Sequence, residues 1–321
     1  MQYPKVSIII LNWNGLKDTL ECLASVYEID YPNFDVVVAD NGSRDEQAAA
    51  IKRHYPQITL IENGANLGFA DGNNVAIRHA LTAGADYLFL LNNDTVVDPQ
   101  VLHALVAGAL ARPDAGIYGA KIYYHAHPQT LWYAGAQWDA RNNGFAHIGM
   151  GKIDDSVTWQ QMREVDYITG CALFFSKNVA NTVGLLDGQF FVYFEETDWC
   201  YRARNLGFKC LYVPEAKVWH KVSASTGGAT STTYNYYMSR NLLLFIHKNF
   251  SGIERFKKYL GAAASMFFPG AATGFALAGQ HPWIKRLYWD LQALPSKSTK
   301  FKWFGLIDFS AGRFGKTSRT L

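Results

Sequence analysis

The sequence predicts an α/β domain built on a mostly parallel sheet flanked by helices, followed by an α-helical appendage. Three observations carry this expectation. Within residues 1–120, short apolar runs alternate with helix-like stretches, the pattern of successive βαβ units. Each apolar run stops on a loop of amides, glycines and carboxylates, as the ligand-facing loops of such sheets do. Beyond about residue 230 the alternation gives way to an aromatic, basic, helix-like pattern. With 321 residues and 49% hydrophobic content, the chain is ample for one large α/β domain and an appendage.

The first strand is read at 6–11, where an apolar run leads straight into Asn12, and a helix follows from about Leu16. Strand signals recur at 36–39, 58–61 and 87–91, separated by helical patterns around 45–54 and 73–83, and a further helix lies within 99–111. The loops expected to face a ligand are Asn12-Trp13-Asn14-Gly15, Asp40-Asn41-Gly42-Ser43, Asn66-Leu67-Gly68-Phe69 and Asn92-Asn93-Asp94. From Gly119 to Ser176 the pattern is irregular and aromatic, with Trp132, Tyr133 and Trp138, which suits extra strands and loops walling an acceptor cleft. A helix is read at 197–206, and a strand at 209–213 that ends at Pro214. The domain boundary is placed at residue 230, giving a catalytic domain over 1–230 and a helical, membrane-associating region over 231–321.

The net charge of +3 hides an asymmetry: residues 1–120 carry seven Lys/Arg against fourteen Asp/Glu, and 281–321 carry eight against two. The basic end suits anionic lipid or an acidic substrate. Nucleic acid is not an expected partner, because no zinc-finger or aromatic RNA-recognition signature accompanies the charge. Cys22, Cys171, Cys200 and Cys210 are scattered without a CxxC pair, so free thiols in a reducing compartment are expected. The run at 6–11 is too short for a signal peptide.

Three places carry chemistry. Asp94 ends the 87–91 run, where a carboxylate suits a hard divalent cation that also holds phosphate oxygens. The same residues read equally as a strand-to-helix turn before Asp98-Pro99. Glu195, Glu196 and Asp198 crowd the start of a helical pattern behind the apolar run Phe190-Phe191-Val192-Tyr193-Phe194, and crowding raises proton affinity as a general base requires. Arg202 and Arg204 could instead pair with them structurally. His220 ends the short run Val218-Trp219, and an imidazole with a carboxylate can bind a transition metal such as manganese.

These segments, in this order over roughly residues 5–250, resemble the inverting glycosyltransferases of family 2, which use the Rossmann-like GT-A fold. The matching segments include Val38-Ala39-Asp40-Asn41-Gly42-Ser43, Asn66-Leu67-Gly68-Phe69-Ala70 with Gly72-Asn73-Asn74, Leu91-Asn92-Asn93-Asp94, Phe194-Glu195-Glu196-Thr197-Asp198 and Val218-Trp219-His220. Asn235-Tyr236-Tyr237-Met238-Ser239-Arg240-Asn241 adds a likeness to the bacterial rhamnosyltransferase branch, with galactofuranosyltransferases nearby. The resemblance implies a nucleoside-diphosphate sugar donor, with L-rhamnose from dTDP-rhamnose as the first choice, and a glycan or lipid-linked acceptor of cell-surface polysaccharide. It implies donor contacts from Asn12, Asn14, Asp40, Asn66, Gly68, Phe69, Asn73, Asn92 and Asn93, with Asp40 on the base. It makes Asp94 and His220 the ligands of Mn2+ or Mg2+ and puts Glu196 where the base is found, beside Glu195 and Asp198. Asn92 stands in place of the first Asp of the usual metal motif, and Glu196 in place of a more usual Asp. A sugar nucleotidyltransferase is the rival enzyme, although Asn12-Trp13-Asn14-Gly15 lacks a basic phosphate loop; a degenerate binding module is the rival non-enzyme.

Residues 260–279 run for twenty positions without a charge, the length of a spanning helix. Gly, Ala, Ser and Thr dominate there and Pro269-Gly270 interrupts the middle, so insertion is only weakly favourable. The expectation is a cytoplasmic protein, peripheral on the inner face of the plasma membrane. Met266, Phe267, Phe268 and Phe275 would enter the interface, while Lys285, Arg286, Lys297, Lys300 and Lys302 attract anionic lipid. A packed helical pair is the alternative.

Overall fold

Apolar runs make strands that must be covered on both faces, and three such strands and a half-exposed edge strand lie side by side in parallel. They are β1 (Val6–Asn12), β2 (Phe34–Asp40), β3 (Thr59–Glu62) and β4 (Tyr87–Asn92), in the order β3-β2-β1-β4. Helices α1 (Leu16–Val26), α2 (Gln47–His54) and α3 (Gly68–Thr82) make the crossovers, and Val6, Ile8, Ile9 and Ile10 are wholly buried. The computed structural model describes residues 3–139, 144–155, 157–222, 231–267 and 297–321.

The rest of the ten-stranded sheet is mixed, so the expected parallel character belongs mainly to its first half. Beyond β4 come β11 (Ala172–Ser176), antiparallel to both neighbours, then β6 (Gly116–Tyr124), β12 (Lys209–His220) and the short edge strand β10 (Arg163–Val165). Two strands lie off this path: β5 (Thr95–Val97) against β12, and β7 (His127–Tyr133) against β6. Helix α4 (Val101–Ala111) connects β5 to β6, while α5 (Lys177–Val183) and α6 (Glu195–Asn205) lie between β11 and β12.

Two local expectations need correction, and one short strand carries no sequence signal. Helix α3 starts at Gly68, five residues before the predicted start, because Asn66 and Asn41 side chains satisfy the backbone of its first turn. The three-residue β5 follows directly on the Asn93-Asp94 turn and is too short for a periodic signal. Pro214 does not end a strand. β12 runs on to His220, because the proline falls in a bulge: Val213 pairs with Ala120 and Lys217 with Lys121, leaving Pro214, Glu215 and Ala216 unpaired on β6.

The chain forms two compact units, residues 1–137 with 147–225, and residues 138–146 with 226–321. The second therefore takes in most of the hairpin β8 (Ala136–Asp139) and β9 (Gly144–His147), in addition to the expected C-terminal helices. Trp138 and Phe145 stack edge-to-face at 4.9 Å and both meet Phe245 on α7 (Thr232–Asn249). Helix α8 (Gly252–Phe267) follows, and α9 (Lys297–Ser310) packs against α7. Buried Arg240 lies over the rings of Tyr236 and Tyr237 and donates to the Gly315 carbonyl at 2.6 Å. Asp308 accepts from Tyr236 Oη at 2.8 Å and from both Nε and Nη2 of Arg319 at 2.7 Å.

Among the described residues, no helix is long and apolar enough to cross a membrane. Most of the uncharged run lies outside the described residues, as do Phe268, Phe275, Lys285, Arg286 and the side chains of Phe267 and Lys297. Met266 is buried rather than displayed, and Lys302 donates to its carbonyl at 3.3 Å. All four cysteines are free and buried.

Gly305 lets α9 approach α7, since a Cβ there would lie 2.8 Å from the Tyr236 carbonyl oxygen and 3.0 Å from the Arg240 nitrogen, and closer still to Ser239 Oγ. Backbone cannot yield as a flexible side chain can. Gly305→Leu is expected to lower unfolding stability by about 1–3 kcal/mol, read as a lower denaturant midpoint; an unchanged midpoint would show that the helices separate freely.

Candidate active site

Strand register assembles the site. Asn12 pairs with Asp40, and Leu11 lies opposite Asn92, so three adjacent parallel strands deliver polar residues to one edge of the sheet. Asn12 Nδ2 donates to Asp40 Oδ1 at 2.7 Å, and the Ser43 N–H donates to Asp40 Oδ2 at 2.9 Å. Thr19 Oγ1 donates to Asn12 Oδ1 at 2.8 Å and accepts from Asn93 Nδ2 at 2.9 Å, tying the first loop to the fourth. Asn14 takes a left-handed conformation and accepts from the Arg44 N–H at 3.0 Å. Asn12 and Asp40 are buried, so their first task is to hold these loops; carboxylate oxygens retain lone pairs for a further donor.

The third loop is fixed through Asn41. Its Nδ2 donates to Asn66 Oδ1 and to the Gly68 carbonyl, and its Oδ1 accepts from Asn63 and from the Leu67 N–H. Asn73 is buried and donates to the Phe69 carbonyl at 2.8 Å, one turn back on its own helix. Gly68 has φ +79°, and a Cβ there would strike the Phe191 carbonyl, which accepts from the Phe69 N–H at 2.6 Å. A side chain at this position would be doubly penalised.

The β5–β12 pairing brings together two residues that the sequence could not connect. His220 pairs with Thr95, so its ring meets Asp94 on the preceding turn: His220 Nε2 lies 3.1 Å from Asp94 Oδ1. Both residues are buried, and neither Asp94 Oδ1 nor His220 Nδ1 has an aligned hydrogen-bond partner. Two ligands each roughly 2.1 Å from an octahedral ion and at right angles sit about 3 Å apart, so the pair has the spacing and the donor types for a shared divalent cation. Among the described residues no third His, Cys, Asp or Glu joins them. The remaining coordination positions would fall to water or a ligand. Trp132 packs edge-to-face on His220 at 4.6 Å and on His147 at 4.8 Å. His147 lies 2.9 Å from Tyr167 Oη, and burial pulls its imidazole down to about 4, so it is neutral at pH 7. Lys221 clamps this corner: its N–H donates to the Asp94 carbonyl at 3.0 Å, and its Nζ donates to Asp18 at 2.6 Å and Glu21 at 2.7 Å.

Helix α6 begins with the carboxylate cluster, and its members part ways. Asp198 is fully buried and accepts from Arg202 Nε at 2.8 Å, while the same guanidinium caps the Val183 and Leu185 carbonyls. That carboxylate is committed to structure, which the i, i+4 spacing to Arg202 allowed. Glu195 is buried with Oε2 unpartnered; burial first, and the charge of Glu196 second, hold its carboxyl well above the usual range. Glu196 is half-buried, is raised by burial, and is pulled back partly by the N–H groups of Gly170 and Thr197. A Cβ on Gly170 would lie 2.9 Å from the Phe69 ring and 3.8 Å from Glu196 Cβ, and the next residue, Cys171, accepts from the Asn92 N–H at 3.0 Å. Gly170 thus lies against both Phe69 and Glu196, and Cys171 ties this segment to Asn92, two residues before Asp94. The backbone leading in is strained, with Phe191, Tyr193 and Phe194 at φ +67°, +68° and +74°.

Thr19, Asn41, Gly170 and Lys221 were not singled out as site residues by sequence reasoning. Each acts through a long-range contact that local pattern does not record.

Residues 7–177 match the family described as Glycosyl transferase family 2. The chain is 30% identical over 211 residues to the N-acetylglucosaminyl-diphospho-decaprenol L-rhamnosyltransferase of Mycobacterium tuberculosis, covering 60% of this chain and 68% of the relative. It is 25% identical over 260 residues to the dTDP-rhamnosyl transferase RfbF of Shigella flexneri, covering 75% and 79%. Among solved structures, the mannosyltransferase PcManGT from Pyrobaculum calidifontis in complex with GDP-Man and Mn2+ superposes with a TM-score of 0.59 at 18% identity, over 98% of this chain and 88% of that one. GalNAc-T7 with UDP, GalNAc and Mn2+ gives 0.55 at 15% identity, over 75% and 51%. The sheet and its loop edge are those of a GT-A glycosyltransferase, and the chain belongs to glycosyl transferase family 2.

Proposed function

We propose that the protein transfers L-rhamnose from dTDP-rhamnose to a glycan or lipid-linked acceptor of bacterial cell-surface polysaccharide, with inversion at the anomeric carbon. The observation that carries a metal-assisted transfer is the buried Asp94–His220 pair at 3.1 Å with Asp94 Oδ1 lacking an aligned partner. The choice of sugar leans on the two relatives whose names specify rhamnosyl transfer. Asp94 and His220 would hold Mn2+ or Mg2+, the ion in both neighbours being Mn2+. When bound, the cation neutralises charge on the departing diphosphate.

The chain's own residues then divide the work. Asp40 and Asn12, preset by Ser43 and Thr19, take the nucleotide end of the donor, and Asn14, Asn66, Gly68, Phe69, Asn73, Asn92 and Asn93 shape the loops around it. Glu196, whose Oε2 is unpartnered, accepts the proton of the acceptor hydroxyl as that oxygen attacks. Burial and the charge of Glu196 hold the Glu195 carboxyl well above its usual range, and burial raises Glu196 as well. A single displacement with one base inverts the anomeric centre, and NMR of the product's anomeric proton tests this. A retained configuration would remove the single-displacement reading.

Asp94→Ala is expected to abolish the enhancement of dTDP binding by Mn2+ in calorimetry, and His220→Ala to weaken it. Full turnover of the unsubstituted enzyme in excess chelator would overturn the metal assignment.

Glu196→Gln is expected to lower turnover by about 10²–10⁴-fold with donor affinity spared. Loss of turnover in Glu195→Gln with Glu196→Gln still active would move the base by one residue.

The buried pair also sets a pH dependence. Folded, both carboxyls keep their protons above the ordinary value of 4.5, so the folded state binds more protons than the unfolded one as pH rises past that value. Stability from the pair is therefore greatest below it and falls as pH climbs to the raised folded value. Glu195→Gln is expected to melt with the parent near about pH 4 and above it toward neutrality; a difference independent of pH would show that folding leaves the proton affinity of Glu195 unchanged.

A further inference from the structure

We propose that helix α8 docks the protein on an anionic bilayer through a stripe of Ile253, Phe256 and Leu260. Their spacing of three and then four residues puts the three side chains on one face of the helix. They are exposed to 69%, 57% and 57%, whereas Ala262 and Met266, about half a turn away around the helix, are buried. Both sides of α8 are thus apolar. One side is used in packing, and the other faces outward with large side chains that a soluble surface does not need.

The charge around the stripe selects the occupant. Residues 231–267 and 297–321 carry eleven Lys/Arg against Glu254 and Asp308 alone. Asp308 is buried and held by Arg319, and Arg240 is buried too; with these three set aside, nine Lys/Arg remain against Glu254, the one exposed acid among the described residues of these stretches. Exposed Lys257 borders the stripe on the same helix, and exposed Lys248 and Lys300 add to the field. An apolar ridge set in a basic surface matches the interface of a bilayer with anionic headgroups, where large side chains enter the acyl boundary and ammonium groups stay among phosphates. A polyanion without an acyl layer would use the charge but leave the ridge in water.

This face differs from the one that the uncharged run at 260–279 predicts. Met266 is internal, and the outward stripe lies earlier in the chain. The docking is independent of which sugar is transferred and would bring the enzyme to an acceptor carried on a lipid.

The experiment uses the full chain and sedimentation with two sets of vesicles, phosphatidylglycerol mixed with phosphatidylcholine, and phosphatidylcholine alone. Binding to the anionic vesicles that weakens with salt is expected. The Ile253→Ser, Phe256→Ser, Leu260→Ser triple variant should lose more than about tenfold in affinity, with its melting temperature kept because the three side chains are exposed. Lys257→Glu, which leaves the ridge intact, should weaken anionic binding alone. Full binding by the triple variant, equal binding to both vesicle types, or no binding by the parent would each overturn the proposal. So would a dimer in vesicle-free solution that the triple variant disperses, since the stripe would then cover a second copy. If the triple variant failed to fold, Phe256→Ser and Lys257→Glu would carry the same test singly.

Discussion

The site depends on a register shift in β12. Between Val213 and Lys217 that strand inserts three residues that β6 does not match, and only after the insertion does His220 fall opposite Thr95. Because side chains alternate along a strand, an odd insertion moves every later side chain to the other face. Without it, the imidazole would be displaced along the strand and would not meet Asp94. Pro214 suits such a place, where a ladder donor is not required, and the bulge is sited by a residue that at first sight argues against any strand at all.

Burial does comparable work at the other carboxylates. Three acids start α6, and their environments assign them different fates: Asp198 meets a guanidinium, Glu195 is buried with Oε2 unpartnered, and Glu196 is half-buried with Oε2 unpartnered. The strained approach through Phe191, Tyr193 and Phe194 leads into the helix start there, and the Phe191 carbonyl on the first turn of α3 locks the same approach to the loop before that helix. The loop at Gly68 and Phe69 and the start of α6 are therefore one mechanical assembly around Gly68, Phe69 and Gly170.

Much of this was legible in the chain, for reasons that differ by element. The strands β1, β2 and β4 announced themselves as largely buried runs ending on polar loops, because a doubly covered strand leaves little room for polar residues until it reaches the edge, while β3 is the half-exposed edge strand. The start of α3 and the three-residue β5 were missed, since both are fixed by partners distant in sequence, Asn41 in one case and Trp219 in the other. The meeting of Asp94 and His220 has no local signature either, and only the family resemblance linked them. The pairing of Asp198 with Arg202 was visible as a spacing, although spacing alone did not say which of the three acids would take it.

The thiols carry a consequence of their own. Cys22 packs beneath the end of β4, its sulfur 3.7 Å from both the Asn92 carbonyl and Thr95 Oγ1, and burial pushes its thiol up to about 12. Maleimide and iodoacetamide react with accessible thiolate, which this arrangement withholds twice over. Alkylation of Cys22 therefore waits on excursions that part α1 from the Asn92–Thr95 turn, and its rate is a clock for the opening of the corner that holds Asp94.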